Sequence, residues 1–166
     1  MVKVSDKKNQ DQLRTKGYGE NFKKEYLLYY YEALYLLFIK KLVIKNSKNL
    51  ELSFTGLLKI LLKWDKNIFS RFLIYRDLRS RGYVVKDGFG FGIDFRVYDR
   101  GEHNLRPAKY VVFGINEGIE LSISSLSNNI KEIEKMGKEG IIAVIERRGE
   151  IIYYKINKAC FRELEK

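Results

Sequence analysis

Two side chains that can donate or accept a proton lie close together in the stretch DFRVYDRGEHNLRPAKYVV, residues 94 to 112. Tyr98 ends a strand-like segment, and His103, the only histidine of the chain, follows it in a loop. Histidine titrates near neutral pH, so His103 has the pKa range of a general acid. A single loop histidine is also often just a solvated residue. Pro107 closes this loop before the next apolar segment and has no proton to give.

Other reactive motifs are missing from the sequence. It has no zinc-ligand cluster, no paired-carboxylate motif and no phosphate-cradling loop. One cysteine, Cys160, cannot form an internal disulfide or a zinc site, and it is expected to be a small apolar residue at a strand end. We therefore expect no metal ion and no cofactor.

The charge of the chain favours a polyanionic partner. Lysine and arginine together number 32 against 21 acidic residues, which gives a formal net charge of +11. Such a balance is typical of proteins that bind nucleic acid. The alternative is that lysine is abundant only because the genome is rich in A and T.

No membrane segment is expected. The chain has no charge-free apolar run near 18 residues, and its first ten residues lack the apolar segment of a signal peptide. These features predict a cytoplasmic protein.

Apolar spacing in the first half predicts mainly helices. Residues 1–20 are polar and are expected to form an arm, and residues 21–41 have apolar residues at helical spacing. The segment LVIKNSKNLEL predicts a short hairpin or turn with a polar tip. Ser53 is placed to cap the next helix, and a further helix from about 68 to 81 is expected to end at Gly82.

From residue 83 onward the pattern changes to strands. Strands are predicted in YVVKDGFGFGIDFRVY, interrupted by a glycine-rich turn, and in KYVVFGIN, IELSIS, GIIAVIE and EIIYYKIN. One helix is predicted in LSNNIKEIEKMGK, and a tight turn in ERRGE. The fold class is therefore α/β, of the α+β kind: a helix-rich first domain, residues 1–67, and a small mixed-sheet domain with one crossover helix, residues 68–166.

Several blocks, in order, resemble the tRNA-splicing endonucleases of archaea. They are GYGE, YEALYLL, YRDLRSRGY, GYVVKDGFGFGIDFRVYDRG and GIIAVIERRGEIIYYKI, within roughly residues 13–157. The resemblance implies an amino-terminal endonuclease domain and a carboxy-terminal nuclease domain that contacts RNA and dimerises. It also implies metal-independent cleavage of precursor tRNA at bulge-helix-bulge motifs, which leaves a 2′,3′-cyclic phosphate and a 5′-hydroxyl.

The resemblance implies a tyrosine, a histidine and a lysine as catalytic residues. Tyr98 matches the tyrosine, and Lys138, just before the strand IIAVI, matches the lysine, with Lys135 as a fallback. The histidine position, three residues before the aromatic that opens the next strand, holds Pro107. His103 remains as a candidate in the same loop.

Two further positions depart from the family pattern. Catalytic members clamp a bulge base between two arginines, and here the matching positions hold Lys131 and Tyr153. Lysine is a point charge and cannot stack as a planar group. The expected RNA contacts of this chain are Lys131, Arg100, Arg106 and Lys109.

Three functions remain open from the sequence. The leading hypothesis is a structural subunit of a heterotetrameric endonuclease, whose partners are precursor tRNA and a catalytic paralogous subunit, and which is inactive alone. The second is a catalytic subunit that uses Tyr98, His103 and Lys138. The third is a stand-alone RNA-binding module. The turn ERRGE is less acidic than the loop by which structural subunits usually dock, which keeps the second hypothesis open.

Overall fold

The computed structural model describes residues 1–90 and 92–158, so Cys160 lies outside the described residues. Eight strands and five helices occur within that part of the chain. In chain order they are β1 (Val2–Lys3), α1 (Lys7–Thr15), β2 (Glu20–Phe22), β3 (Glu25–Leu28), α2 (Tyr30–Phe38), α3 (Phe54–Leu61), α4 (Ile68–Ser80), β4 (Val84–Gly90), β5 (Ile93–Tyr98), β6 (Tyr110–Asn116), α5 (Ile123–Lys135), β7 (Glu139–Ile145) and β8 (Ile151–Ile156).

The polar start of the chain is not a simple arm. β1 pairs with β3, and α1 is preceded by the N-cap residue Asp6, whose side chain accepts a hydrogen bond from Asn9 N. This N-cap satisfies one of the free N–H groups of the first helical turn. No residue of α1 is fully buried, so the helix needs no regular apolar face and its sequence lacks the pattern that would indicate it.

The helix predicted over residues 21–41 is correct only in its second half. β2 and β3 form a hairpin whose turn residues Lys23 and Lys24 have φ angles of 45° and 72°. In β3 the buried residues Tyr26 and Leu28 alternate with more exposed ones, so the apolar residues of this segment belong to a strand. The helix starts at Tyr30. The Glu32 carboxylate in its first turn accepts a hydrogen bond from Tyr29 N at 2.8 Å.

The middle of the chain agrees with its prediction. The predicted turn forms, with an isolated bridge between Lys45 and Glu51. The Ser53 side chain accepts from Gly56 N at 3.1 Å and caps α3. The helix α4 is followed by Gly82, whose φ of 92° suits glycine.

The second half forms a mixed sheet of the described strands in the order β4-β5-β6-β7-β8. All neighbours are antiparallel except β6 and β7, which α5 joins as a parallel crossover. This confirms the mixed sheet with one crossover helix. The strand predicted in IELSIS is wrong, because these residues connect β6 to α5 and enter the first turn of that helix. An alternation of apolar and polar residues is not sufficient for a strand, which also needs a partner strand.

Helix α4 joins the two halves. It packs on α2 and on one face of the sheet, while α5 covers the other face with Ile133. The rings of Tyr31, Tyr75 and Phe95 meet at centroid distances of 5.0 to 6.1 Å, so α2, α4 and β5 share one core. The predicted division at residues 67/68 falls just before α4.

Candidate functional site

Strand pairing brings three predicted residues, Tyr98, Lys109 and Lys138, to the same end of the neighbouring strands β5, β6 and β7. Lys109 N donates to Val97 O at 3.1 Å, and Glu139 N donates to Lys109 O at 3.0 Å. Tyr98, at the end of β5, therefore lies beside Lys109, which precedes β6. Lys138 precedes β7 at the same end of these strands.

The loop after Tyr98 folds into a helical turn. Glu102 N donates to Asp99 O, and the backbone N–H groups of Leu105 and Arg106 both donate to Glu102 O. This turn brings the His103 ring edge-on to Tyr98, with the centroids 5.0 Å apart and the planes at 76°. The two residues that the sequence singled out are therefore in contact.

The surroundings of His103 favour the neutral imidazole. Burial and, after it, the positive charge of Lys86 lower the pKa of His103, while the hydrogen bond with Asn104 acts in the opposite direction. A general acid must carry the proton that it delivers. The lowered pKa therefore counts against His103 as the acid at neutral pH.

Lys138 is half-buried and engaged with the same loop. Its Nζ donates to Ala108 O at 2.7 Å, which ties the start of β7 to the residue after Pro107. The fallback residue Lys135 is exposed and pairs with Glu132 at 2.7 Å. Of the two lysines, only Lys138 is hydrogen-bonded to the loop that carries His103.

Pro107 is exposed and lies between the helical turn and the buried Ala108. It lies in the segment that joins the loop to β6, three residues before Tyr110. A ring without an N–H or a titratable group supplies no acid at this point.

The two positions matched to a base clamp lie on opposite faces of the sheet. Lys131 is exposed on α5, whereas Tyr153 on β8 faces α4 and donates its hydroxyl to Asp77 Oδ2 at 2.8 Å. Burial, with the hydrogen bond to Asp77, raises the pKa of Tyr153 above its ordinary value. Within one chain these two residues cannot enclose one base.

The three other predicted RNA contacts surround the loop. Arg100 donates to Arg81 O at 2.7 Å and so caps the end of α4. Arg106 pairs with Glu102 at 3.4 Å. Lys109 pairs with Asp99 at 3.6 Å and lies over the Tyr110 ring at 4.9 Å.

Sequence reasoning missed the cations behind His103. Lys86 and Arg96 are direct cross-strand neighbours, and each donates to a backbone carbonyl, those of Gly19 and Asp87, at 2.7 Å. Two like charges in opposite positions normally destabilise a sheet. The alternating strands β4 and β5 were correctly predicted, but their register was needed to bring these two charges together.

Residues 1–90 and 92–158 contain neither a metal-binding group nor a membrane-spanning helix. No group of three histidine, cysteine, aspartate or glutamate side chains lies close enough to hold a metal ion there. No helix in this part of the chain is both long and apolar enough to span a bilayer.

Comparison with known proteins gives consistent matches over both halves. Residues 68–153 match the tRNA intron endonuclease, catalytic C-terminal domain, and residues 1–58 match the tRNA intron endonuclease, N-terminal domain. A tRNA-splicing endonuclease of Methanococcus vannielii is 36% identical over 155 residues, which cover 93% of this chain and 88% of the relative. The tRNA-splicing endonuclease of Pyrococcus furiosus is 32% identical over 142 residues, which cover 85% and 81%.

Proposed function

Because the chain belongs to the tRNA intron endonuclease family, we propose that it is the structural subunit of a heterotetrameric tRNA-splicing endonuclease. The complete enzyme would cut precursor tRNA at bulge-helix-bulge motifs and leave 2′,3′-cyclic phosphate and 5′-hydroxyl ends. A catalytic paralogous subunit would supply the complete set of reacting groups.

The observation that carries this proposal is Pro107 at the position of the family histidine. Cleavage needs a base for the 2′-hydroxyl, an acid for the leaving 5′-oxygen and a cation for the extra phosphate charge. Tyr98 and Lys138 match the base and the cation. The acid is the group that the chain lacks at its expected position.

His103 compensates poorly for that loss. Its ring contacts Tyr98, but burial and, after it, the charge of Lys86 lower the pKa of His103, which disfavours the protonated form that an acid needs. The clamp positions support the same conclusion, because Lys131 cannot stack as a plane and Tyr153 carries no positive charge, so neither position supplies a guanidinium.

As a structural subunit, the chain would contribute surfaces. The outer face of β8 exposes Ile152 and Tyr154, by 40% and 52%, and would pair with another subunit. Arg100, Arg106, Lys109 and Lys131 would contact phosphates, which position an RNA without reading its sequence. Recognition by shape suits a bulged RNA helix, whose base edges are hidden in the deep groove.

The test is a cleavage assay on a bulge-helix-bulge RNA in the presence of EDTA. The full chain alone is expected to leave the RNA intact. Adding the catalytic paralogue from the same cell is expected to produce cyclic-phosphate ends, with the paralogue alone as the control. Cleavage by this chain alone would contradict the structural role.

The contact between Tyr98 and His103 favours a second candidate, in which this chain is catalytic. His103→Ala in the assembled complex separates the two candidates, with Leu105→Ala as the matched control, because Leu105 lies in the same turn and is 81% exposed. The structural role predicts no more than about a twofold change in rate. A loss of roughly 100-fold or more, the usual contribution of a general acid, would establish the catalytic role.

A further inference from the structure

A cavity of about 260 Å³ lies between the end of α4 and the sheet. Its floor consists of aliphatic side chains, and its wall contains tyrosines and one arginine; the lining residues are Leu78, Arg81, Tyr83, Val97, Tyr110, Val112, Ile141 and Tyr153. It opens on the face of the sheet opposite α5, so it is separate from Lys131.

One carboxylate organises the wall of this cavity. Asp77 Oδ2 accepts the Tyr153 hydroxyl at 2.8 Å and Arg81 Nε at 2.7 Å. The Arg81 guanidinium also lies over the Tyr153 ring, 5.5 Å from its centroid. Asp77 therefore holds a planar cation and an aromatic ring in fixed positions, which lowers the entropy cost of binding a flat ligand.

The chemistry of the wall suits a planar ring attached to an anion. Tyr83 and Tyr110 pack edge to face with centroids 6.4 Å apart, and they provide further aromatic surface. One cation lines this wall, Arg81, whose side chain is 54% exposed. A second, Lys109, does not line the cavity but lies over the ring of the lining residue Tyr110. Aromatic rings combined with positive charge are how proteins hold unpaired bases and their phosphates.

We propose that this cavity binds one unstacked nucleobase from a bulge of the RNA, with its phosphate near Arg81 and Lys109. The proposal rests on the proposed function, since it assumes that the chain contacts a bulged RNA. It gives the subunit a way to hold a bulge base on residues other than a pair of arginines. The base stacks on the tyrosine wall, and no covalent step takes place there.

The experiment measures the binding of the full chain to a bulge-helix-bulge RNA and to the same RNA with an abasic nucleotide at each bulge position in turn. For the wild type, one abasic position is expected to weaken binding about tenfold, the usual contribution of one stacked base. Arg81→Ala is expected to weaken binding to the intact RNA by a similar factor and to lose the discrimination against that abasic RNA.

Arg14→Ala is the matched control. Arg14 is also 54% exposed, pairs with an aspartate on its own helix and lies over a tyrosine ring, but it is on α1, away from the cavity. This variant is expected to keep the discrimination against the abasic RNA. Tyr153→Leu is expected to lose that discrimination and Tyr153→Phe to keep most of it, with thermal melting used to verify that both variants fold.

The outcomes separate the cavity from the function. If the chain binds bulged RNA but no abasic position matters, or if Arg81→Ala behaves like Arg14→Ala, the cavity proposal is wrong while the proposed function stands. If the full chain binds no bulged RNA, the cavity proposal is wrong, and the cleavage assay with the paralogue decides the proposed function by itself.

Discussion

Glu32 is a fully buried carboxylate at the start of α2. It accepts the backbone N–H of Tyr29 at 2.8 Å and that of Gly19 at 3.0 and 3.2 Å, so it fastens the GYGE segment to the helix. Burial raises the pKa of Glu32 to about 7, although these hydrogen bonds and the charges of Lys86 and Arg79 act in the opposite direction. Glu32 therefore binds its proton more tightly in the folded state than in the unfolded chain.

The sign of the pH effect follows from this raised pKa. The folded pKa of Glu32 exceeds its ordinary value of 4.5, so its contribution to stability is complete below pH 4.5 and is lost as the pH rises towards 7. Glu32→Gln removes this titration. The stability advantage of the wild type over the variant is expected to shrink by about 3 kcal/mol between pH 4.5 and 8.

Urea unfolding at several pH values measures this difference. Glu134→Gln, on an exposed part of α5, controls for the loss of one negative charge. A difference between wild type and Glu32→Gln that is constant with pH, or that grows as the pH rises, would refute the assignment.

At the residue scale, the sequence identifies side chains with suitable chemistry but not their surroundings. Tyr98 and His103 are in contact, and their catalytic roles stay a prediction. In the sequence, Glu32 is a single charged residue within the apolar run YLLYYYEALYLLFI, and nothing local indicates its role. Its role depends on Gly19, 13 residues earlier, and no local pattern reveals that hydrogen bond.

At the scale of elements, two helix starts provide a matched pair. Ser53 caps α3 through its side chain, which accepts from Gly56 N at 3.1 Å. Ser122 stands at the same position before α5 but makes no side-chain cap, because its hydroxyl pairs with the Ser124 hydroxyl at 2.7 Å. Serine at the N-cap position therefore accepts a backbone N–H in α3 but not in α5.

This pair predicts unequal costs of the same substitution. Ser53→Ala is expected to lower the free energy of unfolding by about 1 kcal/mol, because one N–H of the first turn loses its acceptor. Ser122→Ala is expected to cost less than about 0.5 kcal/mol. Chemical denaturation of both variants is the measurement, and equal costs would show that the two caps do not differ.

Predictions of helices and strands failed where the pattern of apolar residues was compatible with more than one structure. Residues 21–41 were predicted as one helix, yet the buried residues Tyr26 and Leu28 alternate in β3, because β1 and β2 pair with it on either side. Ile119, Leu121 and Ile123 fit a strand but are 50 to 84% exposed and pair with nothing among the described strands. A strand needs partners, and its partners come from elsewhere in the chain.

At the scale of the whole molecule, β8 is the last strand at one edge of the sheet. One of its faces packs on the core through Ile151 and Tyr153, and the other exposes Ile152 and Tyr154. Exposed apolar residues on an edge strand invite pairing with another chain. This is the surface on which the proposed assembly depends.

Ile152→Asp is therefore expected to reduce the mass of the complex formed with the catalytic paralogue, as measured by light scattering. Trp64→Asp is the control, since Trp64 is 84% exposed and lies just after α3, away from β8. An unchanged mass for Ile152→Asp would show that assembly uses another surface. A wild-type chain that stays a monomer, recruits no paralogue and still binds RNA would support the stand-alone RNA-binding module.

The sequence by itself determined the family, the mixed sheet with its crossover helix, and the identity of the residues at positions 98, 107 and 138, because motifs, caps and strand alternation are local signals. The tertiary structure alone decided the register that opposes Lys86 to Arg96, the lowered pKa of His103 and the link from Asp77 to Tyr153. Each of these joins groups that are far apart in the chain. Their distances and their burial exist only once the separate elements have packed together.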